Sequence, residues 1–155
     1  MNPILDRVFT GDYSYQRVIS SPQLSLQGTA CFEHSKANQK IYMEQGSYFL
    51  DGKEQTCYQK QFFSVEISRL YIHKSDHSLL HEFSLNDVSD FPFQLTHSHQ
   101  CGNDAYHLTM TIHSANSFST TYVVQGPFKD YTIDTVFSRM EAAVESVERI
   151  VKLFS

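Results

Sequence analysis

The segment LSLQGTACF, residues 24–32, determines the class of fold. Leu24 and Phe32 share one parity in this segment, whereas Ser25 and Thr29 share the other. Successive side chains of a β-strand point to opposite faces of a sheet, so this alternation is typical of a strand with one buried face. The segment therefore predicts a sheet with an apolar side and a polar side.

The same period of two continues along most of the chain. Further faces of this kind consist of Leu79, His81, Phe83 and Leu85, of Tyr106, Leu108, Met110 and Ile112, and of Tyr131, Ile133 and Phe137. Asp51-Gly52 separates two strand-like runs and predicts a hairpin, because both central residues of a type I′ turn take a positive φ. Counting the runs between turn signals predicts about nine or ten strands over residues 9–137.

Short connections between these strands favour antiparallel pairing of chain neighbours. So many strands in one small domain must either stack as two sheets or close on themselves, and closure leaves an interior that can hold a ligand. We therefore expect a mainly β fold, an antiparallel up-and-down β-barrel, in a single domain over residues 1–155.

Residues 138–154 follow a helical pattern instead. Ser138 and Glu141 form a capping box, the signature of a helix N-terminus. Apolar residues then recur at spacings of three and four, namely Met140, Val144, Val147, Val151 and Phe154. This pattern predicts a C-terminal amphipathic helix that packs on its own barrel or, alternatively, forms a homodimer interface.

Composition and charge exclude several classes of partner. The chain has 155 residues, enough for one compact domain, and 14% are aromatic, which helps a modest apolar content to close a core. The net charge is −5 and no window concentrates Lys and Arg, so no nucleic-acid partner is expected. No run approaches ~20 consecutive apolar residues, so no membrane partner is expected.

The cysteines and the first residues favour a cytoplasmic location. Cys31, Cys57 and Cys101 are odd in number and irregularly spaced, unlike a disulfide framework. Residues 1–7 lack the basic and apolar regions of a secretory signal. A reducing environment is therefore expected.

The densest polar cluster lies at residues 97–104. In an extended segment His97, His99 and Cys101 point to one side, about 7 Å apart at successive steps. Imidazole and thiolate groups bind zinc or copper, so these three residues are candidate metal ligands, with Asp104 as a fourth. In the alternative interpretation, His99 and Asp104 stabilise a loop through hydrogen bonds to the backbone.

Two polar residues, His81 and Arg17, lie on apolar faces. A histidine there is commonly a hydrogen-bonded core residue, but beside a cavity it becomes a ligand contact or a general base. An inward guanidinium requires an anion. A structural ion pair with Glu33, Glu44 or Asp130 is the preferred interpretation, and a ligand carboxylate is the alternative.

Other catalytic signals are sparse. Cys101 becomes a nucleophile if His99 acts as its base and a third group orients the histidine. No nucleophile elbow, P-loop or dinucleotide-binding motif is present, so hydrolase, kinase and dehydrogenase activities lack support and no cofactor is expected. Lys129 and Asp130 follow a Gly-Pro turn and are exposed turn charges or, alternatively, part of the rim of a barrel mouth.

Several motifs occur in a fixed order over residues 5–139. They are Phe9-x-Gly11-x-Tyr13-x-x-x-Arg17-x-Ile19, Gly28-Thr29-Ala30-Cys31-Phe32, Tyr42-x-Glu44-x-Gly46, His81-Glu82-Phe83, His99-x-Cys101-x-x-Asp104-x-Tyr106 and Gly126-Pro127-x-Lys129-Asp130-Tyr131. Together they resemble an uncharacterised family of small bacterial and fungal proteins, which is similar to the calycin barrels that include lipocalins and fatty-acid-binding proteins. The resemblance implies a calycin-like barrel and no established activity.

The resemblance also marks residues for a site. Tyr13 stands where such barrels carry Trp, and the resemblance implies that Tyr13 and Arg17 close one end of the barrel. The residues that it marks as candidates are His81, His99, Cys101, Asp104, Tyr106, Lys129, Asp130 and Tyr131.

Three functional hypotheses follow. The first is a barrel that binds a small, partly apolar molecule in its interior, with Arg17 as a candidate contact and His81 and Tyr106 lining one cavity. The second is an enzyme that uses His81 or His99 as acid/base, assisted by Cys101 or Tyr106 in the same cavity. The third is an interaction or homodimer module that uses the C-terminal helix.

Overall fold

One short helix and ten β-strands make up the part of the chain that the computed structural model describes, residues 2–140. The elements are α1 (Pro3–Val8), β1 (Gly11–Ser20), β2 (Gln23–Lys36), β3 (Gln39–Leu50), β4 (Lys53–Val65), β5 (Arg69–Lys74), β6 (Leu79–Ser84), β7 (Phe93–Cys101), β8 (Asp104–Ser114), β9 (Ser117–Gln125) and β10 (Asp130–Arg139).

The strands form one antiparallel sheet in the order β6-β5-β4-β3-β2-β1-β10-β9-β8-β7. Chain neighbours pair with each other except β6 and β7, and β1 pairs with β10. The two end strands meet through side chains, since His81 Nδ1 on β6 lies 3.0 Å from His97 Nδ1 on β7. We call this junction of β6 and β7 the seam. The sheet is thus a nearly closed barrel, which confirms the predicted fold and strand number.

The local pattern of the strands also agrees with the sequence. At the β3–β4 hairpin, Asp51 and Gly52 have φ values of 52° and 76°, as a primed turn requires. The apolar face of β8 is buried, as predicted. Leu79, in contrast, is 45% exposed rather than buried, because the register of β5 against β6 shifts beside it.

The helix α1 closes one end of the barrel. Asn2 caps it by accepting hydrogen bonds from the backbone N–H groups of Ile4 and Leu5, and a proline opens its first turn. Phe9, directly after α1, is fully buried. Its ring lies 5.1 to 5.8 Å, centroid to centroid, from those of Phe32, Phe63 and Phe118. The sequence analysis missed this helix, although Asn2-Pro3 is a helix-start signal.

Tyr13 belongs to the same closed end, but its cationic partner is Arg139 and not Arg17. The Arg139 guanidinium lies 4.8 Å from the centre of the Tyr13 ring, and its Nη2 donates to Tyr13 Oη at 2.8 Å. Arg17 instead stacks on Tyr15 at 4.8 Å. Tyr13 therefore lies at the closed end as expected, but the expectation for Arg17 is wrong: Arg17 is four residues farther along β1, two steps on the same face, and lines the cavity instead.

The C-terminal helix does not begin where the sequence predicted. Ser138 and Arg139 are the last residues paired in β10, opposite Ser14 and Tyr13 of β1, so Ser138 is no helix cap. The rest of the predicted helix, from residue 141 onward, lies outside the described residues. Within residues 2–140, no helix is long and apolar enough to cross a membrane.

Candidate functional site

The barrel contains a partly open cavity of about 500 Å³. Its floor is the aromatic cluster of the closed end, because Phe32, Phe63 and Phe118 line it. Since these rings lie toward α1, the rest of the cavity extends toward the opposite end of the barrel. Most of the lining is apolar, which suits a molecule with apolar surface.

A polar cluster of three side chains lies within this lining. Arg17 and Glu44 form a two-pronged ion pair, with Nη1 to Oε1 at 2.9 Å and Nη2 to Oε2 at 2.8 Å. Tyr42 Oη donates to Glu44 Oε2 at 2.6 Å, and Arg17 Nε donates to Thr135 Oγ1 at 2.8 Å. We call Arg17, Glu44 and Tyr42 the interior cluster. Of the two roles predicted for Arg17, the structure shows the ion pair, with Glu44.

Burial and the mutual contacts of the interior cluster set its charges. Burial alone lowers the pKa of Arg17, but the hydrogen bonds and charge of Glu44 outweigh it and raise that pKa above its ordinary value. Burial, then the nearby Glu44 charge, raises the pKa of Tyr42 well above its ordinary value. Arg17 is thus held as a cation and Tyr42 as a neutral donor.

His81 lies behind the cavity wall and closes the seam. It is fully buried, and its Nε2 lies 2.8 Å from the hydroxyl of Tyr122, which lines the cavity. Its Nδ1 meets His97, as described above. Burial, then the neighbouring His97 and His99, lowers the pKa of His81 to about 3. Both ring nitrogens are engaged, so His81 does not fit the acid/base role of the second hypothesis.

Asp104, Tyr106 and Lys129 come together where β8 begins and β10 is about to begin. Lys129 Nζ lies 3.0 Å from Tyr106 Oη and 3.1 Å from Asp104 Oδ2. The hydrogen bonds to Tyr106 and then to Asp104 raise the pKa of Lys129 above its ordinary value. Tyr106 also lines the cavity, so we call these three residues the mouth cluster. The rim alternative predicted for Lys129 agrees with this position.

The other predicted site residues do not join these clusters. Cys101 is exposed at the β7–β8 turn, and Asp130 is exposed at the start of β10. Tyr131, partly buried, pairs with Val124 on β9. The His99 ring lies 6.4 Å from that of Tyr106, with no hydrogen bond among His99, Cys101 and Tyr106 in the described chain.

The predicted metal ligands do not converge either. In residues 2–140, no group of three or more His, Cys, Asp or Glu side chains is arranged to hold a metal ion. His97 turns its Nδ1 to His81, and Cys101 lies in the exposed turn. The histidines of this region therefore connect strands rather than surround an ion.

The sequence analysis missed part of the site. Tyr42, Thr135 and Tyr122 line the cavity, but they were not among the candidates. One signal was available for Tyr42, because it shares the inward parity of β3 with Glu44. Thr135 likewise shares the parity of the predicted apolar face with Ile133 and Phe137, whereas Tyr122 carries no such signal, since tyrosine is common on both faces of strands.

The fold and the cavity define a small β-barrel with an enclosed polar cluster. Residues 9–139 match the family of unknown function DUF6314, so the chain belongs to that family. No curated protein matches the sequence.

Solved structures of similar fold are designed barrels. A redesigned β-barrel has a TM-score of 0.50 at 12% identity, covering 90% of this chain and 96% of its own. The structure of EF1p2_mFAP2b bound to DFHBI has a TM-score of 0.49 at 12% identity, covering 86% of this chain and 95% of its own. A de novo fluorescence-activating barrel has 0.48 at 12% identity, covering 86% and 94%. At 12% identity, the redesigned barrel shows the β-barrel fold alone.

Proposed function

We propose that this protein binds a small, partly apolar molecule inside its barrel. The observation that carries the proposal is the interior cavity of about 500 Å³. Small-molecule sites have volumes of roughly 300–1,000 Å³ and combine apolar walls with a few placed polar groups. The aromatic floor supplies the first property, and the interior cluster supplies the second.

The ligand's contacts are proposed from the same geometry. Its apolar part rests on the rings of Phe32, Phe63 and Phe118. Its polar atoms meet the interior cluster or the hydroxyl of Tyr106 in the mouth cluster. His81 acts indirectly in this arrangement, through the hydrogen bond that holds Tyr122.

The test compares one substitution on the two faces of β10. Ile133 lines the cavity, whereas Val136 is 54% exposed on the outside. N-phenyl-1-naphthylamine, an uncharged dye that brightens in apolar surroundings, is titrated into the wild-type protein and both variants. We expect saturable binding that Ile133→Trp weakens at least about tenfold, because the indole fills the cavity.

Val136→Trp is the matched control and leaves the dye affinity within about twofold. Equal loss in both variants, or no effect of either, places the dye on the surface and contradicts interior binding. Circular dichroism of each variant confirms that it is folded.

A further inference from the structure

We propose that the cavity selects uncharged ligands, because its interior charges already neutralise each other. This inference rests on the proposed ligand-binding function and names the class of molecule that the cavity accepts. It is carried by the pairing of Arg17 with Glu44.

The charge balance of the lining is the first step. Among the described residues that line the cavity, Arg17 and Glu44 are the charged ones. Their side chains are 17% and 4% exposed, and the pair is joined by two hydrogen bonds of 2.8 and 2.9 Å. The interior therefore has no net charge when it is empty.

An anionic ligand would disturb this balance. A carboxylate or sulfonate at Arg17 would lie beside the Glu44 carboxylate, leaving two negative charges around one guanidinium in a buried site. Excess charge in such surroundings is strongly unfavourable, since water no longer solvates it. A cationic ligand at Glu44 would lie beside the Arg17 guanidinium, leaving two positive charges around one carboxylate.

A neutral polar group meets no such penalty. Arg17 uses three of its five N–H groups on Glu44 and Thr135, so two remain for a carbonyl or hydroxyl oxygen. Glu44 accepts three hydrogen bonds, from the two Arg17 nitrogens and Tyr42, and keeps capacity for one more donor. The interior cluster can therefore both donate to and accept from an uncharged ligand.

The mouth cluster follows the same rule. Lys129 is neutralised by Asp104 at 3.1 Å, and its other contact is the neutral hydroxyl of Tyr106. Lys129, which contacts the cavity-lining Tyr106, is thus already paired and does not favour an anion. The interior cluster and the mouth cluster therefore both favour an uncharged ligand.

The experiment uses two dyes that differ in one charged group. N-phenyl-1-naphthylamine is uncharged, and 8-anilinonaphthalene-1-sulfonate is its sulfonated counterpart. The wild-type protein is titrated with each at pH 7.5, and the ratio of the two dissociation constants is compared across variants. We expect the wild type to bind the neutral dye at least about tenfold more tightly.

Glu44→Gln is the decisive variant, because it leaves the Arg17 charge without its partner. It should move the ratio at least about tenfold toward the sulfonate. The double variant Arg17→Gln/Glu44→Gln removes both charges and returns the preference to the neutral dye. Glu54→Gln, at an exposed position of β4, is the matched control and leaves the ratio unchanged.

Each outcome decides a separate point. Equal affinity of the wild type for both dyes, or an unchanged ratio in folded Glu44→Gln, overturns the charge selectivity and leaves interior binding in place. Binding of neither dye overturns the proposed function itself, and this inference with it. If Glu44→Gln unfolds, the wild type still decides the point, since equal affinity for the two dyes overturns the charge selectivity.

Discussion

Two buried tyrosines, Tyr15 and Tyr42, differ in what their hydroxyl groups contact. Tyr42 donates to the Glu44 carboxylate at 2.6 Å, whereas the buried Tyr15 Oη has the Cys57 thiol, a weak hydrogen-bonding group, as its polar partner. The Tyr15 hydroxyl lies against Gly46, where any Cβ would clash with it. Gly46 is therefore required for close approach, and Tyr15 gains its stability from packing rather than from hydrogen bonding.

The same deletion of one oxygen should then have effects of different size at these two positions. Tyr42→Phe removes a hydrogen bond to a buried charged acceptor and should lower the free energy of unfolding by about 1.5–3 kcal/mol. Tyr15→Phe removes a buried hydroxyl whose partner is a weakly hydrogen-bonding thiol and should change that free energy by less than about 1 kcal/mol. Urea denaturation of both variants measures the difference. Equal destabilisation would mean that the contact of Tyr15 with Cys57 is as strong as the hydrogen bond from Tyr42 to Glu44.

At the scale of elements, Arg139 holds the closed end together. Its guanidinium donates to the carbonyl oxygens of Arg7 at 2.8 Å, Thr10 at 2.6 Å and Ala115 at 2.8 Å, and it stacks on Tyr13. These partners belong to the end of α1, the approach to β1 and the β8–β9 turn. One side chain at the end of β10 therefore fixes three other segments.

Replacing this arginine should destabilise the whole closed end. Arg139→Lys keeps the charge but cannot reach the separate carbonyl groups, so we expect a loss of roughly 2–3 kcal/mol in the free energy of unfolding. Arg69→Lys is the control, because Arg69 is 47% exposed and pairs with Glu82 at the surface, where such pairs contribute about 0–1 kcal/mol. Thermal unfolding of both variants gives the comparison. If Arg139→Lys lowers the free energy of unfolding no more than Arg69→Lys does, the contacts of Arg139 do not stabilise the closed end.

The strands and turns that the sequence predicted correctly are those whose signal lies in residues close together in the chain. Period two identified the strands, and Asp51-Gly52 identified a hairpin, since both signals depend on neighbouring residues. Ser138 carried a valid cap signal, but pairing with β1 decided its structure. Partners across the barrel, such as Glu44 for Arg17 or Arg139 for Tyr13, depend on register and closure. For Arg17, the sequence limited the possible partner to three acidic residues. For Tyr13, it gave no signal that Arg139 is the partner.

At the scale of the molecule, the seam makes barrel stability depend on pH. His81 has a pKa near 3 in the folded protein against 6.5 for an unperturbed histidine. Its surroundings are His97 and His99 on β7 and the neutral Tyr122 on β9, so no carboxylate there favours its cation. As pH falls below about 6.5, the unfolded chain takes up a proton at this position and the folded barrel does not.

Stability should therefore be full above pH 6.5 and decrease below it, by up to about 1.4 kcal/mol per pH unit from His81. His81→Gln keeps hydrogen-bonding groups without titrating, so its stability should decrease less steeply between pH 6.5 and 4.5. Denaturant midpoints measured across this range test the slope. His113→Gln, at an exposed position, is the control and should keep the wild-type slope. If the stability of His81→Gln decreases with falling pH as steeply as that of the wild type, His81 does not cause the pH dependence.

The position of the seam also divides the barrel into two chain-continuous halves. Because β6 and β7 follow each other along the chain, a single break between the exposed Ser89 and Asp90 would leave a six-stranded and a four-stranded meander. Among residues 2–140, the β1–β10 ladder would then be the strand pairing that joins the two halves. The architecture is thus suited to fragment complementation. The first half would contribute the ion pair of Arg17 and Glu44, and the second half would contribute Thr135, which accepts a hydrogen bond from Arg17.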